Sequence, residues 1–181
     1  MEITDGRRRK GAERRRLLVA ATTRVIGRAG LASVSQRVVA TEAGVPPSVV
    51  SYYFPTVDDL LVAALVEAND ACLADLEECA AASDPLGALA TRVATWFDTG
   101  REVVTAEYEL YLLAARRPEL HPEVGRWTTA LDAFLAPLVG DPVRRTGVAA
   151  AVDGLILRCF WEPGAPDAAT LRAVLDGLVD H

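Results

Sequence analysis

Apolar residues recur at steps of three and four along most of the chain, the spacing that places them on one face of an α-helix. Between residues 12 and 29 this face comprises Leu17, Leu18, Ala21, Val25 and Ile26. The longest pattern covers 57–82 and predicts a helix of about 38 Å. The predicted helices cover 12–29, 35–43, 47–53, 57–82, 85–99, 101–116, 121–138, 142–161 and 167–179. The pattern therefore predicts an all-α fold of about nine helices.

One segment conflicts with its helical surroundings: residues 42–55 read EAGVPPSVVSYYFP. Its β-branched and aromatic residues locally favour a strand, but a strand would mix polar and apolar side chains on both faces. A helix instead places Val50, Tyr53 and Phe54 inward. The side chains left outward are Ser48, Val49, Ser51 and Tyr52. Pro47 suits a first helical turn and Pro55 forces a stop, so a short helix is predicted at 47–53.

This short helix and the one before it match the pattern of a helix-turn-helix, in which a tight turn, usually with glycine, joins two steeply crossed helices. Ser35 is a good N-cap for the first helix, and Gly44 would be the turn residue. Val39, Ala40 and Ala43 are apolar or small where the two backbones must approach. Every position that must be small, apolar or glycine is so occupied.

Charge divides the chain of 181 residues into unequal parts. Residues 1–54 contain ten Lys/Arg and four Asp/Glu, a net charge of +6, whereas residues 55–181 have a net charge of −12. A basic head on an acidic body favours contact with a polyanion such as nucleic acid. The alternative is a solvated basic tail without a ligand. No apolar run is long enough for a transmembrane helix. Cys72, Cys79 and Cys159 match no zinc pattern and suit buried thiols, so a cytoplasmic protein with no membrane partner is expected.

Residues 14–65 resemble the DNA-binding domain of the TetR family of bacterial transcriptional repressors. The resemblance rests on a first helix ending in RAG, then VVATEAGV, an aromatic pair ending in Phe54, then Pro55, and DDLL at the start of the long helix. It implies a flexible basic arm at 1–10, a helix-turn-helix domain at 11–56 and a ligand-binding and dimerisation domain at 57–181. It also implies a homodimer formed through helices 142–161 and 167–179. Such a dimer would bind a palindromic double-stranded DNA operator and be released by a small molecule.

The resemblance also implies which side chains contact DNA. The residues concerned are Ser35, Arg37, Pro47, Ser48, Val49, Ser51, Tyr52 and Tyr53. Ser35 would bind a phosphate, and Arg37 a phosphate or a base edge. Ser48 and Val49 would lie nearest the base edges. For Ser35 simple helix capping is an alternative or additional role, and for Tyr53 the alternative is core packing. Ser51 and Val57 depart from the tyrosine and lysine that the family often has there.

Aromatic residues concentrate in the acidic part of the chain, where a small-molecule pocket and an ordinary helical core have the same composition. The candidate ligand-binding residues are Trp96, Phe97, Glu107, Tyr108, Tyr111 and Trp127. Glu107 or Arg158 would orient a ligand if it were buried. No glycine-rich phosphate loop, nucleophile elbow or metal-ligand cluster is found, so neither an enzyme, a cofactor nor a metal is expected. The alternative function is a helical ligand-binding or protein-interaction module whose helix-turn-helix is inactive.

Overall fold

The computed structural model describes residues 2–161, 164 and 166–180. These residues form nine α-helices and no strand, which confirms the predicted all-α fold. The helices are α1 (Glu2–Ala29), α2 (Gln36–Ala43), α3 (Pro47–Tyr53), α4 (Val57–Ala81), α5 (Pro85–Thr99), α6 (Arg101–Ala114), α7 (His121–Leu135), α8 (Pro142–Arg158) and α9 (Ala168–Val179). Short 3-10 turns at Leu31–Ser33 and Pro118–Leu120 precede α2 and α7.

Side chains that accept backbone N–H groups fix most helix starts. The Ser35 hydroxyl accepts from the Val38 N–H at 3.2 Å, which confirms its predicted capping role. Thr56 and Asp59 form a reciprocal capping box at the start of α4. The caps of α5, α8 and α9 are Asp84, Asp141 and Asp167. Gly44 ends α2 with a φ of 66°, a left-handed conformation that favours glycine.

The N-terminal segment differs from its prediction. The apolar pattern predicts a first helix over 12–29, but α1 begins at Glu2 and continues unbroken to Ala29, through most of the segment 1–10 that was expected to form a flexible arm. Extension of an existing helix needs no new nucleus, and Arg and Lys are good helix formers. The apolar pattern starts at Leu17, because Ala12 is the one apolar residue among positions 4–16, and Leu17, predicted inward, is 39% exposed. Hydrophobic spacing therefore could not reveal the earlier start.

The buried residues form two clusters that share α4 and α6. The first cluster packs α1, α2 and α3 against the N-terminal half of α4, and Phe54 and Leu65 are among its large buried side chains. The second joins the rest of α4 to α5, α7, α8 and α9. Ala106 and Leu110 of α6 belong to the first cluster, whereas Val104 belongs to the second. The two halves of the molecule are thus joined by shared helices.

The cysteines and the long helices are consistent with packed helical cores. Cys79 and Cys159 are buried, Cys72 is half-buried, and no disulfide joins any of these three described residues. No single helix within the described ranges is both long and apolar enough to cross a membrane. Helices α3 and α4 meet those criteria only as a pair bent by 70°.

Candidate DNA-reading surface and ligand cavity

The helix-turn-helix consists of α2, the Gly44 turn and α3. The Val45 N–H donates to the Ala40 carbonyl at 3.0 Å, which closes the turn behind Gly44. Val50 and Phe54 are buried against the first cluster, as the helical interpretation of residues 42–55 predicted. The strand alternative is therefore wrong. Among the residues that were expected outward, Ser48, Ser51 and Tyr52 are exposed and Val49 is half-buried.

The two adjacent tyrosines occupy different environments. The Tyr52 side chain is 81% exposed, whereas Tyr53 is half-buried against the first cluster. Their rings meet edge to face at 5.1 Å. A Cβ atom on Gly11 would lie 3.8 Å from the Tyr53 hydroxyl, so the N-terminal half of α1 lies beside α3. Tyr52 is thus free to meet a ligand, while Tyr53 also packs.

Gln36 was missed by the sequence analysis and fixes α2 to the end of α3. Its amide nitrogen donates to the backbone carbonyls of Phe54 at 2.7 Å and Pro55 at 2.9 Å. Its side-chain oxygen accepts from the Ser51 hydroxyl at 3.1 Å. Ser51, a predicted DNA contact, therefore already has a structural partner. A polar residue in a first helical turn gives no sequence signal for such a role.

Positive charge continues from the helix-turn-helix along α1, and α1, α2 and α3 (residues 2–53) together form the reading head. Arg9, Lys10, Arg14, Arg15 and Arg16 are all exposed on this helix. The Arg15 guanidinium lies over the Phe54 ring at 5.1 Å, which brings this basic stretch next to the end of α3. The exposed Arg37 lies in the first turn of α2. The basic surface and the exposed face of α3 are consequently neighbours.

A cavity of about 320 Å³ lies among α4, α5, α6, α7 and α8. Five of the six predicted ligand residues line it: Trp96, Glu107, Tyr108, Tyr111 and Trp127. The sequence analysis missed several other lining residues, among them Cys72, Leu112, Thr128, Asp153 and Leu157. Only the fold brings these positions on four helices together, so no local pattern could have identified them.

Phe97 does not line the cavity, contrary to the prediction. It is 3% exposed and packs edge to face against Phe160 at 5.1 Å, inside the second cluster. The Arg101 guanidinium lies over the Phe97 ring at 5.3 Å. Trp96 and Phe97 are adjacent on α5 and diverge by about 100° on a helix, so only one of them can face the cavity. Arg158, the other predicted orienting residue, is exposed and does not line the cavity.

Hydrogen bonds orient the aromatic rings of the cavity. The Trp127 indole N–H donates to Asp153 Oδ1 at 3.0 Å, and the Trp96 indole N–H donates to Asp75 Oδ2 at 2.8 Å. The Tyr111 hydroxyl donates to Asn69 Oδ1 at 2.7 Å. These bonds restrain the ring positions, so the cavity walls are largely preformed.

The charge balance of the cavity is negative. Burial raises the pKa of Glu107 to about 7, opposed by a hydrogen bond from the Cys72 thiol at 3.5 Å. Burial also raises the pKa of Asp153, opposed by the bond from Trp127. Among the described residues that line the cavity, none is Lys, Arg or His. An organic cation is therefore the ligand class that this lining would compensate best.

The opposite side of α6 contacts the reading head. Glu109 Oε2 accepts the backbone N–H of Leu31 at 2.7 Å, directly after α1. The Arg28 guanidinium lies 3.9 Å from Glu102 Oε2. Arg28 also pairs with Glu42 of α2 at 2.6 Å. Helix α6 therefore contacts both sites: Glu107 lines the cavity, and Glu109, two residues later, accepts a hydrogen bond from the backbone that follows α1.

An exposed stripe with large apolar ends runs along α8. The exposed positions at helical spacing are Val143, Gly147, Ala150, Gly154, Leu157 and Trp161. Trp161, just beyond the end of α8, is 70% exposed. On α9, Val174 and Gly177 are also exposed. Small residues between large apolar ones allow another helix to approach closely, so this surface suits helix–helix contact.

The two halves of the chain each match a known sequence family. Residues 18–64, which contain the helix-turn-helix, match the family described as bacterial regulatory proteins, tetR family. Residues 80–181, which contain α5 to α9, match the family described as tetracyclin repressor-like, C-terminal domain. The chain belongs to the TetR family. This TetR-family protein is accordingly a DNA-binding transcription regulator and not an enzyme.

Individual relatives support the same assignment over most of the TetR-family chain. A TetR-family member from Streptomyces coelicolor is 38% identical with a TM-score of 0.80, over 92% of this chain and 98% of that one. The multidrug binding protein EbrR, solved with ethidium, is 37% identical with a TM-score of 0.74, over 92% and 98% of the two chains. The HTH-type transcriptional regulator BetI of Brucella canis is 27% identical over 177 residues, which cover 92% of this chain and 89% of BetI.

Proposed function

We propose that this TetR-family protein is a cytoplasmic repressor that binds a palindromic operator as a homodimer and leaves it when a small molecule enters the cavity. The position of α6 carries the proposal. Glu107 and Tyr111 line the cavity, while Glu109 of the same helix binds the backbone that follows α1. If α6 has two positions and the ligand binds one of them better, the ligand shifts the equilibrium towards that position, and the reading head moves with α6. The size of the shift in free energy is set by the difference in affinity for the two positions.

The stripe on α8 and the exposed residues of α9 support the proposed dimer. Two copies related by a twofold axis would bury this surface in a four-helix contact. The same symmetry would present two α3 helices to successive major grooves, about 34 Å apart. A palindromic operator follows, because each half-site meets an identical helix.

At each half-site the exposed face of α3 enters the major groove. Ser48 and Val49 face base edges, and Pro47 brings the start of the helix close to the DNA. Tyr52 contacts the phosphate backbone, with Ser51 and Tyr53 beside it. Ser35 and Arg37 bind phosphates from the start of α2, where backbone N–H groups favour an anion. Tyr52 is the strongest of these assignments because its side chain is 81% exposed.

The proposed ligand is an aromatic organic cation. Two indoles and two phenols supply ring faces, which attract cations as well as apolar groups. Glu107 and Asp153 supply negative charge, and no basic lining residue opposes it among those described. The structures of EbrR with ethidium and with malachite green, at 37% identity, support this ligand class.

Selection of bound sequences from a random DNA pool tests the DNA-binding part of the proposal. We expect a palindrome whose half-sites are about one helical turn apart. Failure of the purified dimer to enrich any sequence at low salt would favour a ligand-binding module with an inactive helix-turn-helix. The hydrogen bond from Ser51 to Gln36 supports that alternative, because the serine hydroxyl already donates within the protein and not to DNA.

A further inference from the structure

The two carboxylates of the cavity are held by different partners. Asp153 accepts an indole N–H from Trp127 at 3.0 Å, which stabilises its charged form. Among the described residues, the one hydrogen-bond donor to Glu107 is the Cys72 thiol, at 3.5 Å, and a thiol is a weak donor. The two groups therefore differ in how readily each can carry a charge without a ligand.

The surroundings of Glu107 contain no compensating cation within the described structure. From α4 it faces Cys72 and Asp75, and Asp75 raises the pKa of Glu107 further. Arg92 of α5 forms an ion pair with Asp75 at 3.0 Å, so its guanidinium neutralises Asp75 and not Glu107. From α6 the neighbouring titratable groups are Tyr108 and Tyr111, and from α8 Asp153. Helix α7 contributes Trp127 and Thr128, which do not titrate.

We propose that Glu107 is the cation-selecting residue of the cavity, protonated below neutral pH in the protein without ligand and releasing its proton to solvent when an organic cation enters. Asp153 carries its negative charge with or without a ligand, whereas Glu107 carries one only when a cation is bound. The exchange balances, because one positive charge enters as one proton leaves and no covalent bond of the ligand changes. A neutral aromatic molecule leaves the carboxyl protonated and gains no ion pair. This inference rests on the proposed cation class of the ligand.

Calorimetric titration with ethidium tests the exchange, because ethidium carries a permanent charge and no DNA is present. For the wild type, we expect affinity to rise about tenfold from pH 6 to pH 8 and then to level off. Titrations at pH 6 in phosphate and in bis-Tris, whose ionisation enthalpies differ, should show nearly one proton released. The same comparison at pH 8.5 in Tris and in Bicine should show almost none. The wild-type titrations test the proposal without any variant.

Two cavity variants and one surface variant separate the roles. Glu107→Gln should bind ethidium with an affinity that does not depend on pH and without proton release. Asp153→Asn should bind more weakly throughout but retain proton release. Glu77→Gln, on the exposed side of α4, should behave as the wild type. Circular dichroism checks that each variant is folded.

The outcomes distinguish this inference from the function on which it rests. Wild-type affinity that is independent of pH, or equal proton release by Glu107→Gln, would overturn the role of Glu107 while leaving a cation-binding cavity. Absence of ethidium binding at every pH would overturn both the cation class and this role. Operator binding, measured separately, would stand in either case.

Discussion

Gly27 of α1 lies directly against the backbone of Glu102 in α6, with no room for a methyl group between them. A Cβ atom on Gly27 would lie 2.1 Å from the Glu102 carbonyl oxygen. No real contact of this kind is so short, so one helix would have to move. The glycine permits the close crossing through which the cavity half and the DNA-reading half meet.

Substitution of Gly27 by alanine should push α1 and α6 apart. We expect a loss of about 1–3 kcal/mol in the free energy of unfolding, as is usual for overpacking at a backbone contact. Urea denaturation measures it. Gly125→Ala is the matched control, because that helical glycine has nothing within 4 Å of the new methyl group. It should instead stabilise the protein, by up to about 1 kcal/mol. Equal effects of the two variants would show that the crossing tolerates displacement.

Tyr52 and Arg37 are expected to contribute to operator affinity in different ways. Arg37→Ala should weaken binding to all sequences and reduce the slope of log affinity against log salt by about one. Arg37→Lys should keep most of that slope, since it keeps the charge. Tyr52→Ala should weaken operator binding more than Tyr52→Phe if the ring as well as the hydroxyl meets the backbone. Fluorescence anisotropy over a salt series measures each effect. Unchanged operator affinity in both alanine variants would show that these residues of the helix-turn-helix do not contact DNA.

Replacement of Trp161 by glutamate should separate the dimer. The indole is 70% exposed at one end of the α8 stripe, and a buried unpaired charge in a twofold interface would be repeated on both sides. Sedimentation at micromolar concentration should show monomers. Val103→Glu places the same charge on an exposed apolar position of α6 and should leave the dimer intact. A dimeric Trp161→Glu protein would place the interface elsewhere.

The buried carboxyl of Glu107 should make stability fall as pH rises. Burial raises its pKa from an ordinary value of 4.5 to about 7, so the folded protein holds a proton that the unfolded chain loses in between. Its contribution is fully present below the unfolded pKa and is lost as pH rises through the folded one, by at most about 1.4 kcal/mol per pH unit. Glu107→Gln removes this dependence, so the free energy of unfolding of the variant should rise relative to that of the wild type as the pH increases from 5 to 7. Urea denaturation over this pH range measures the difference, and for Glu77→Gln the difference from the wild type should not change with pH.

The sequence predicted local structure better than it predicted the cavity. Residues 47–53 form a helix despite their β-branched composition because Val50 and Phe54 pack against the first cluster. The start of α1 was missed because its first turns contain almost no apolar residues whose spacing a pattern could detect. Asp153 was missed because it reaches Trp127 across 26 positions in the chain. Phe97 was assigned to the cavity because composition cannot distinguish two adjacent aromatic residues on a helix.

The most direct test is the affinity of the dimer for its selected operator with and without a bound cation. Methyltriphenylphosphonium suits it, because it carries a permanent charge and is not a planar intercalator. Neutral triphenylphosphine oxide of nearly the same shape is the control. We predict that the cation, at concentrations that saturate the cavity, lowers operator affinity at least tenfold and that the oxide has little effect. Unchanged operator affinity with the cavity saturated would contradict the coupling of the two sites through α6.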